Sequence, residues 1–459
     1  MNRFKVTLFI LLVAFAIFQC QPTSGKKTLK TLPPEVVATI EKRIANGGTI
    51  SMAIALIDSA GITYHNFGKT SKDGKAVDEH TVYEIGSISK VFTGILLAQQ
   101  VLDGDLKLED EINNFLPEGI KAAAIGEEEI TFGHLTDHTS GFPLMPENFT
   151  PSNPKNPYAD YTVDQMYAFI SDYKPGRRAG TNYEYSNFAQ GLLGHLLALN
   201  KNNTYEALMV QTIADPLEME DTRIALTDRM KKNLALGHSG GTVVENWDIP
   251  TLAGAGAIRS STSDMATFIA ANLGYVESPL EEAMALSHKV RHRKAEGRKV
   301  GMAWNYRSGK FGDVIWHGGG TGGYRTFAGF VKETGVGVVL FTNSSMDSSD
   351  IGFHLLNPSS QLVNVKSKNQ AVDVPESILE RYVGVYELTP DFMISISKEG
   401  KQLFVQGTDQ PRFEIFMESQ TKFYLTVVEA SISFQSKNGV VESLTLFQGG
   451  QKMPGKKVD

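Results

Sequence analysis

Ser87 and Lys90 stand one helical turn apart, and such a pair can do nucleophilic chemistry. A serine hydroxyl attacks a carbonyl poorly until a base removes its proton. A lysine amine is such a base when neutral, and burial and the positive end of a helix dipole both disfavour its ammonium form. Spacing alone decides little: Ser-x-x-Lys begins at five other places, Ser24, Ser152, Ser171, Ser395 and Ser419. The setting of Ser87 singles it out. Thr81–Asp105, TVYEIGSISKVFTGILLAQQVLDGD, reads as a short strand, a tight turn at Gly86 and a helix starting near Ser87. Ile88, Val91, Phe92, Ile95, Leu96 and Leu102 give that helix a buried face. The Ser87 hydroxyl is also placed to cap free backbone N–H groups at its start.

Two later stretches can supply partners. In Asn182–Leu199, NYEYSNFAQGLLGHLLAL, Tyr185-Ser186-Asn187 heads a second apolar helix. A tyrosine there can carry its phenol into a cleft, and Asn187 offers both a donor and an acceptor. In Asp313–Thr326, DVIWHGGGTGGYRT, a β-type run leads to His317 and three glycines, Gly318, Gly319 and Gly320. Glycines let backbone lie directly against a substrate and point N–H groups at it. A phosphate cradle would need a Gly-Lys-Ser/Thr ending and a following helix, and this cluster has neither. His134 and His138 are spaced as metal ligands on a helix can be. No third ligand sits at a useful offset and Thr139-Ser140-Gly141 ends the helix at once, so both are read as structural.

The elements that must position these residues follow from periodicity and punctuation. Leu32–Asn46 reads as a helix, and Thr49–Asp58 and Ile62–Phe67 as strands around a turn at Ser59-Ala60-Gly61. Ile130–Pro143 is a short helix and a loop. Pro146–Tyr161 is a long loop at the rim of a site. Thr162–Tyr173, Tyr205–Ala214, Thr262–Leu273 and Glu277–Lys289 read as helices. Leu252–Ile258, LAGAGAI, is a small-residue loop that permits close backbone approach. Arg291–Arg298 is a basic, solvated surface loop. Phe327–Lys332 and Val336–Thr342 form a hairpin, and a helix covers Asp350–Leu356. Residues 364–374 are a polar linker. From Pro375 to Asp459 short alternating runs separated by turns describe a small antiparallel β-barrel or sandwich.

The chain has 459 residues, enough for two or three domains, and 41% hydrophobic content. A net charge of −7 and mean hydropathy of −0.16 describe a soluble globular protein and argue against a nucleic-acid partner. Asn2-Arg3-Phe4-Lys5 followed by apolar Val6–Phe18 suits an export signal spanning about residues 1–25. Either cleavage follows Ala14-Phe15-Ala16 or lipid is attached at Cys20, giving a periplasmic or a membrane-anchored protein. Cys20 is the only cysteine, so no internal disulfide forms.

Taken in order, Ser87-Ile-Ser-Lys90, Tyr185-Ser-Asn187 and His317-Gly-Gly319 resemble the three motifs of the serine β-lactamase and penicillin-binding protein superfamily. The nearest likeness is to its class C-like branch, with D-Ala-D-Ala carboxypeptidases, D-amino-acid peptidases and esterases. The flanks HTSGFP, AGAG and GGTGGY match as well, over Leu32–Leu356. The C-terminal segment, with LERYVGVYEL and LTLFQGGQ, resembles a lipocalin-like domain appended to some members. The resemblance implies an α/β (α+β) fold, an antiparallel sheet flanked by helices with a helical subdomain, over residues 26–363, followed by the β-barrel at 375–459. It implies that Ser87 forms an acyl-enzyme while Lys90 and Tyr185 manage its proton, either being the base. The N–H groups of Ser87 and Gly320 would form the oxyanion hole, with Gly319 beside them. Asn187 would hold the substrate amide or Lys90, and His317 would orient Tyr185 or a substrate carboxylate. His317 stands where typical β-lactamases keep a lysine, and a neutral imidazole holds a carboxylate less strongly. That favours a peptidase or esterase over a β-lactamase. The appended β-domain and possible lipid anchor leave a binding or sensor module with little turnover as the other alternative. Small molecules or peptides are the implied substrates, an oligomer is left open, and no metal or organic cofactor is implied.

Overall fold

The computed structural model describes residues 30–293, 299–363, 371–372, 374–390, 392–408, 412–426, 430–448 and 451–458. The export signal, Cys20 and most of the linker fall outside the described residues.

The first strands, β1 (Ser51–Asp58) and β2 (Gly61–Gly68), form a hairpin, and β3 (Val82–Glu84) leads into the Ser87 turn. A small hairpin, β4 (His238–Ser239) and β5 (Thr242–Val243), and a short β6 (Arg259–Ser261) come next. The sheet resumes with β7 (His292–Arg293), β8 (Lys299–Val300), β9 (Asn305–Gly309), β10 (Gly312–Gly320), β11 (Arg325–Val331) and β12 (Val336–Thr342). Its order is β2-β1-β12-β11-β10-β9-β8-β7, so the first strands of this sheet are sewn to the last strand that the chain adds to it.

β1 and β12 are buried along their whole length because the sheet is covered on both faces. Alternate residues of β1 separate into two cores, as the period of two requires. Ala53, Ala55 and Ile57 face the large helical region. Met52, Ile54 and Leu56 face Val36 and Ile40 of the helix Pro34–Ala45 and Ile351 of the helix Ser349–Leu356. These two outer helices are tied by Arg43, which donates from Nη1 to Asp350 Oδ1 at 3.0 Å and from Nη2 to Oδ2 at 2.6 Å.

The C-terminal segment closes an eight-stranded antiparallel barrel between Gly384 and Lys457, its last strand pairing with its first. Inward residues such as Tyr386, Ile394, Leu403, Phe423, Ile432, Phe434 and Leu444 fill its interior. Closure removes the free edges that would otherwise invite another strand.

Three expectations need correction. Leu252–Ile258 is not an open loop: Ala253–Gly256 makes one helical turn. The segment Tyr205–Ala214 changes after Met209 from an α-helix to a π-type turn over Val210–Ala214. Arg291 is half-buried rather than solvated, with Nε 3.6 Å from Asp137 Oδ2. Residues 294–298 of that stretch lie outside the described residues. No helix among the described residues is long and apolar enough to cross a membrane.

Candidate active site

Ser87 does not begin the α-helix but sits inside a 3-10 turn, Gly86–Ile88, with the α-helix running Ser89–Leu102. β3 pairs with β6, and Ile85 N donates to Ile258 O at 3.0 Å, so the strand holds the turn in place. Gly86 has φ +51°, a left-handed conformation that favours glycine. Ser87 takes neither N-cap position; these fall to Ile85 and Ile88. The hydroxyl is therefore available to its neighbours.

Lys90 is fully buried, and its Nζ lies 3.0 Å from Ser87 Oγ, 2.8 Å from Asn187 Oδ1 and 2.7 Å from Ala255 O. The helix Ser89–Leu102 is buried almost all round, so its lysine enters the core. Burial holds the Lys90 amine well below the usual lysine range. Ala255 reaches it because Gly254 lets its own turn sit against the helix Asn187–Asn200. A Cβ at Gly254 would lie 3.0 Å from Gly194 Cα and 2.9 Å from Gln190 O.

Tyr185 and Asn187 flank the N-cap of that helix. Ser186 Oγ accepts from Ala189 N at 2.9 Å and donates to Pro143 O at 2.6 Å. Ser186→Ala removes the cap and is expected to cost about 1 kcal/mol in a urea unfolding curve. The Tyr185 phenol is directed toward the Ser87 side chain, and its ring centroid lies 4.9 Å from Lys90 Nζ. Burial raises the phenol above its ordinary value, so it stays protonated at neutral pH.

The glycine run belongs to β10. A Cβ on Gly319 would come within 1.9 Å of Ile85 O and 2.2 Å of Thr326 Oγ1. A Cβ on Gly86 would stand 2.7 Å from Gly320 N. The end of β10 and the Ser87 turn thus touch backbone to backbone, bringing Gly320 beside Ser87. Thr326 Oγ1 donates to Ile85 O at 2.9 Å and fixes the contact. His317 is buried on the same face of β10 as Gly319, its Nδ1 2.7 Å from Gly318 O.

Three groups beside these were not among the expected site residues. Ala255 supplies the third partner of Lys90. Tyr158, in the long rim loop, accepts from Asn187 Nδ2 at 3.4 Å and packs on Trp247 at 5.4 Å between ring centroids. His138 lays its ring against Tyr185 at 4.6 Å. The HTSGFP flank was the available signal for His138. His134 instead closes a capping box, its Nδ1 accepting from Thr131 N at 3.3 Å. Among the described residues no group of three His, Cys, Asp or Glu is arranged to hold a metal.

Residues 36–352 match the family model described as beta-lactamase, and residues 368–457 match one described as a domain of unknown function (DUF3471). A beta-lactamase of Pseudomonas fluorescens is 26% identical over 352 residues, covering 69% of this chain and 94% of that protein. The D-alanyl-D-alanine-carboxypeptidase/endopeptidase AmpH of Escherichia coli (strain K12) is 25% identical over 367 residues, covering 75% of this chain and 93% of its own. Among solved structures, a beta-lactamase/D-alanine carboxypeptidase of Pseudomonas syringae superposes with a TM-score of 0.63 at 22% identity, over 71% of this chain and 98% of that one. With the first match covering most of the sequence, the chain belongs to the beta-lactamase family and is a serine hydrolase.

Proposed function

We propose that the protein cleaves D-amino-acid peptides or simple esters through an acyl-enzyme on Ser87, with neutral Lys90 as the base. The observation that carries this reading is the set of three groups around Lys90 Nζ. A neutral amine has two N–H donors and one lone pair. Asn187 Oδ1 and the Ala255 carbonyl can only accept, so they take the two N–H bonds. The lone pair is left for the Ser87 hydroxyl, 3.0 Å away. Removal of that proton accompanies attack of Ser87 Oγ on the substrate carbonyl carbon. The N–H groups of Ser87 and Gly320 receive the developing oxyanion. As the C–N or C–O bond breaks, Tyr185 passes a proton from Lys90 to the departing nitrogen or oxygen. Water then attacks the acyl carbon and loses its proton to the same pair, which returns it to Ser87 Oγ as the acyl bond breaks.

His317 supports the choice of substrate. It places a ring hydrogen-bonded to its own strand, rather than a fixed ammonium, at the strand position beside the glycines. A penicillin carboxylate gains little there, whereas an ester or a peptide carbonyl needs no such anchor. The names of the relatives include both beta-lactamases and a D-alanyl-D-alanine carboxypeptidase/endopeptidase, so the acyl-transfer machinery is compatible with either. Export to the periplasm, with or without lipid at Cys20, fits the N-terminal sequence.

Intact-mass measurement of the mature protein after mixing with a p-nitrophenyl ester or a penicillin tests this, with Ser87→Ala alongside. Ester turnover with a transient acyl adduct on the wild type alone is the expected outcome. Equal turnover by Ser87→Ala would overturn the assignment. A brief penicillin adduct with rapid release of hydrolysed drug would make the protein a β-lactamase instead.

A further inference from the structure

We infer that His138 is a positioning residue for Tyr185, gripping the main chain on both sides of it and covering its ring; this rests on the reading of Tyr185 as the proton relay. His138 is buried and has φ +61°, which is uncommon for a residue other than glycine. Such a conformation persists only where its surroundings over-determine it. Here it aims two acceptors of one residue at a single short stretch of chain. The His138 carbonyl accepts from Glu184 N at 2.8 Å, and its ring Nδ1 accepts from Ser186 N at 3.1 Å. Tyr185 lies between those two N–H groups. The ring that takes the second bond also lies against Tyr185, with centroids 4.6 Å apart and planes tilted by 34°. Tyr183 also packs on the imidazole, with centroids 5.5 Å apart and planes at 74°.

The arrangement explains the residue type. Phenylalanine would keep the ring and lose the acceptor, and glycine would keep the backbone turn and lose both ring and acceptor. An imidazole with Nδ1 unprotonated supplies an aromatic face and an acceptor together. The loop is anchored further on, where Thr139 O accepts from Gly180 N at 2.8 Å. His138 is thus a fixed post, and Tyr185 is placed by it.

Four variants test this: His138→Gly, His138→Asn, Tyr185→Phe and the double variant His138→Gly/Tyr185→Phe. Glycine adopts the left-handed turn without strain, so His138→Gly is expected to fold with a thermal midpoint close to the wild type. Its kcat for the ester is expected to fall by about 10²-fold with KM little changed, the cost of a relay group misplaced by about 1 Å. Asparagine tolerates the turn and offers an acceptor, so His138→Asn should recover at least half of that loss on a logarithmic scale. If His138 acts through Tyr185, the glycine change should cost less than about 2-fold more in the Tyr185→Phe background. An undiminished penalty in that background, or a wild-type kcat in His138→Gly, would overturn the inference. Wild-type activity of Tyr185→Phe would instead sink the relay reading. Crystal structures of the two His138 variants then still decide the clamp, which requires the phenol to leave Ser87 in the glycine variant and stay in the asparagine one.

Discussion

Lys90→Met is expected to lower kcat/KM for an ester substrate by about 10³–10⁴-fold, at the upper end of what one general base contributes. Among the described residues no other lysine is hydrogen-bonded to Ser87. Burial raises the Tyr185 phenol above its ordinary value, and in the proposed mechanism it carries the proton rather than accepting it first. The pH profile separates this from simple damage to the site. The neutral amine is the working form, so wild-type kcat/KM should rise with pH and level off once Lys90 is deprotonated. Because burial lowers Lys90 well below 10.5, that rising limb lies well below the ordinary lysine range. Lys90→Met should lack it. Stability gives an independent sign. Between the lowered folded value and the ordinary unfolded one, the unfolded chain binds the extra proton. Stability therefore rises with pH across that window and is flat on either side of it. Thermal melts at a series of pH values should show the wild type gaining on Lys90→Met as pH climbs towards 10.5. A wild type and variant that move in parallel would mean that Lys90 is not buried as a neutral amine.

Gly319→Ala should be nearly as damaging, by a different route. The new methyl would sit 1.9 Å from Ile85 O, and a backbone carbonyl cannot swing aside as a flexible side chain can. Ile85 is two residues from Ser87, and Gly320 is the next residue of β10, so relief of the clash pulls apart the two N–H groups proposed to form the oxyanion hole. A loss of about 10²–10³ in kcat is expected from disturbing that hole, together with about 1–3 kcal/mol of stability from overpacking. Gly318→Ala is the control. Its Cβ would meet its nearest neighbours at 3.5 Å, an ordinary contact, and it should remain within a few-fold of the wild type. Equal activity of the two variants would show that the β10 contact does not set the site.

The two variants also show why only part of the site could be read from sequence. Ser87 with Lys90, and Tyr185 with Asn187, each fall within one turn of the chain, so periodicity and capping chemistry reveal them. The barrel was legible for a similar reason, since alternation of inward and outward residues is local. Which glycine of three is obligatory is not local, because it is set by Ile85, more than 200 positions earlier. The same holds for Ala255, whose carbonyl reaches Lys90 across 165 residues. His138 reads as structural from histidine spacing, and the HTSGFP flank marks its neighbourhood without naming its partner. Its relation to Tyr185 exists only once two loops meet. The start of the Ser87 helix was displaced for a steric reason: Gly86 turns the chain so tightly that a 3-10 turn must intervene before α-helical bonding begins.

The pairing of β1 with β12 sets a schedule for synthesis. Met52 lies opposite Thr342, so the ribosome must add 290 further residues before the first strand can meet this neighbour. At about 5–20 residues per second that interval is roughly 15–60 s. Until then the nascent chain holds a hairpin whose inner strand, SMAIALID, is wholly buried in the finished protein and has no cover on one edge. Such a polypeptide gains from a holding chaperone, or from threading across a membrane before it collapses, and its sheet closes only when the last strand arrives.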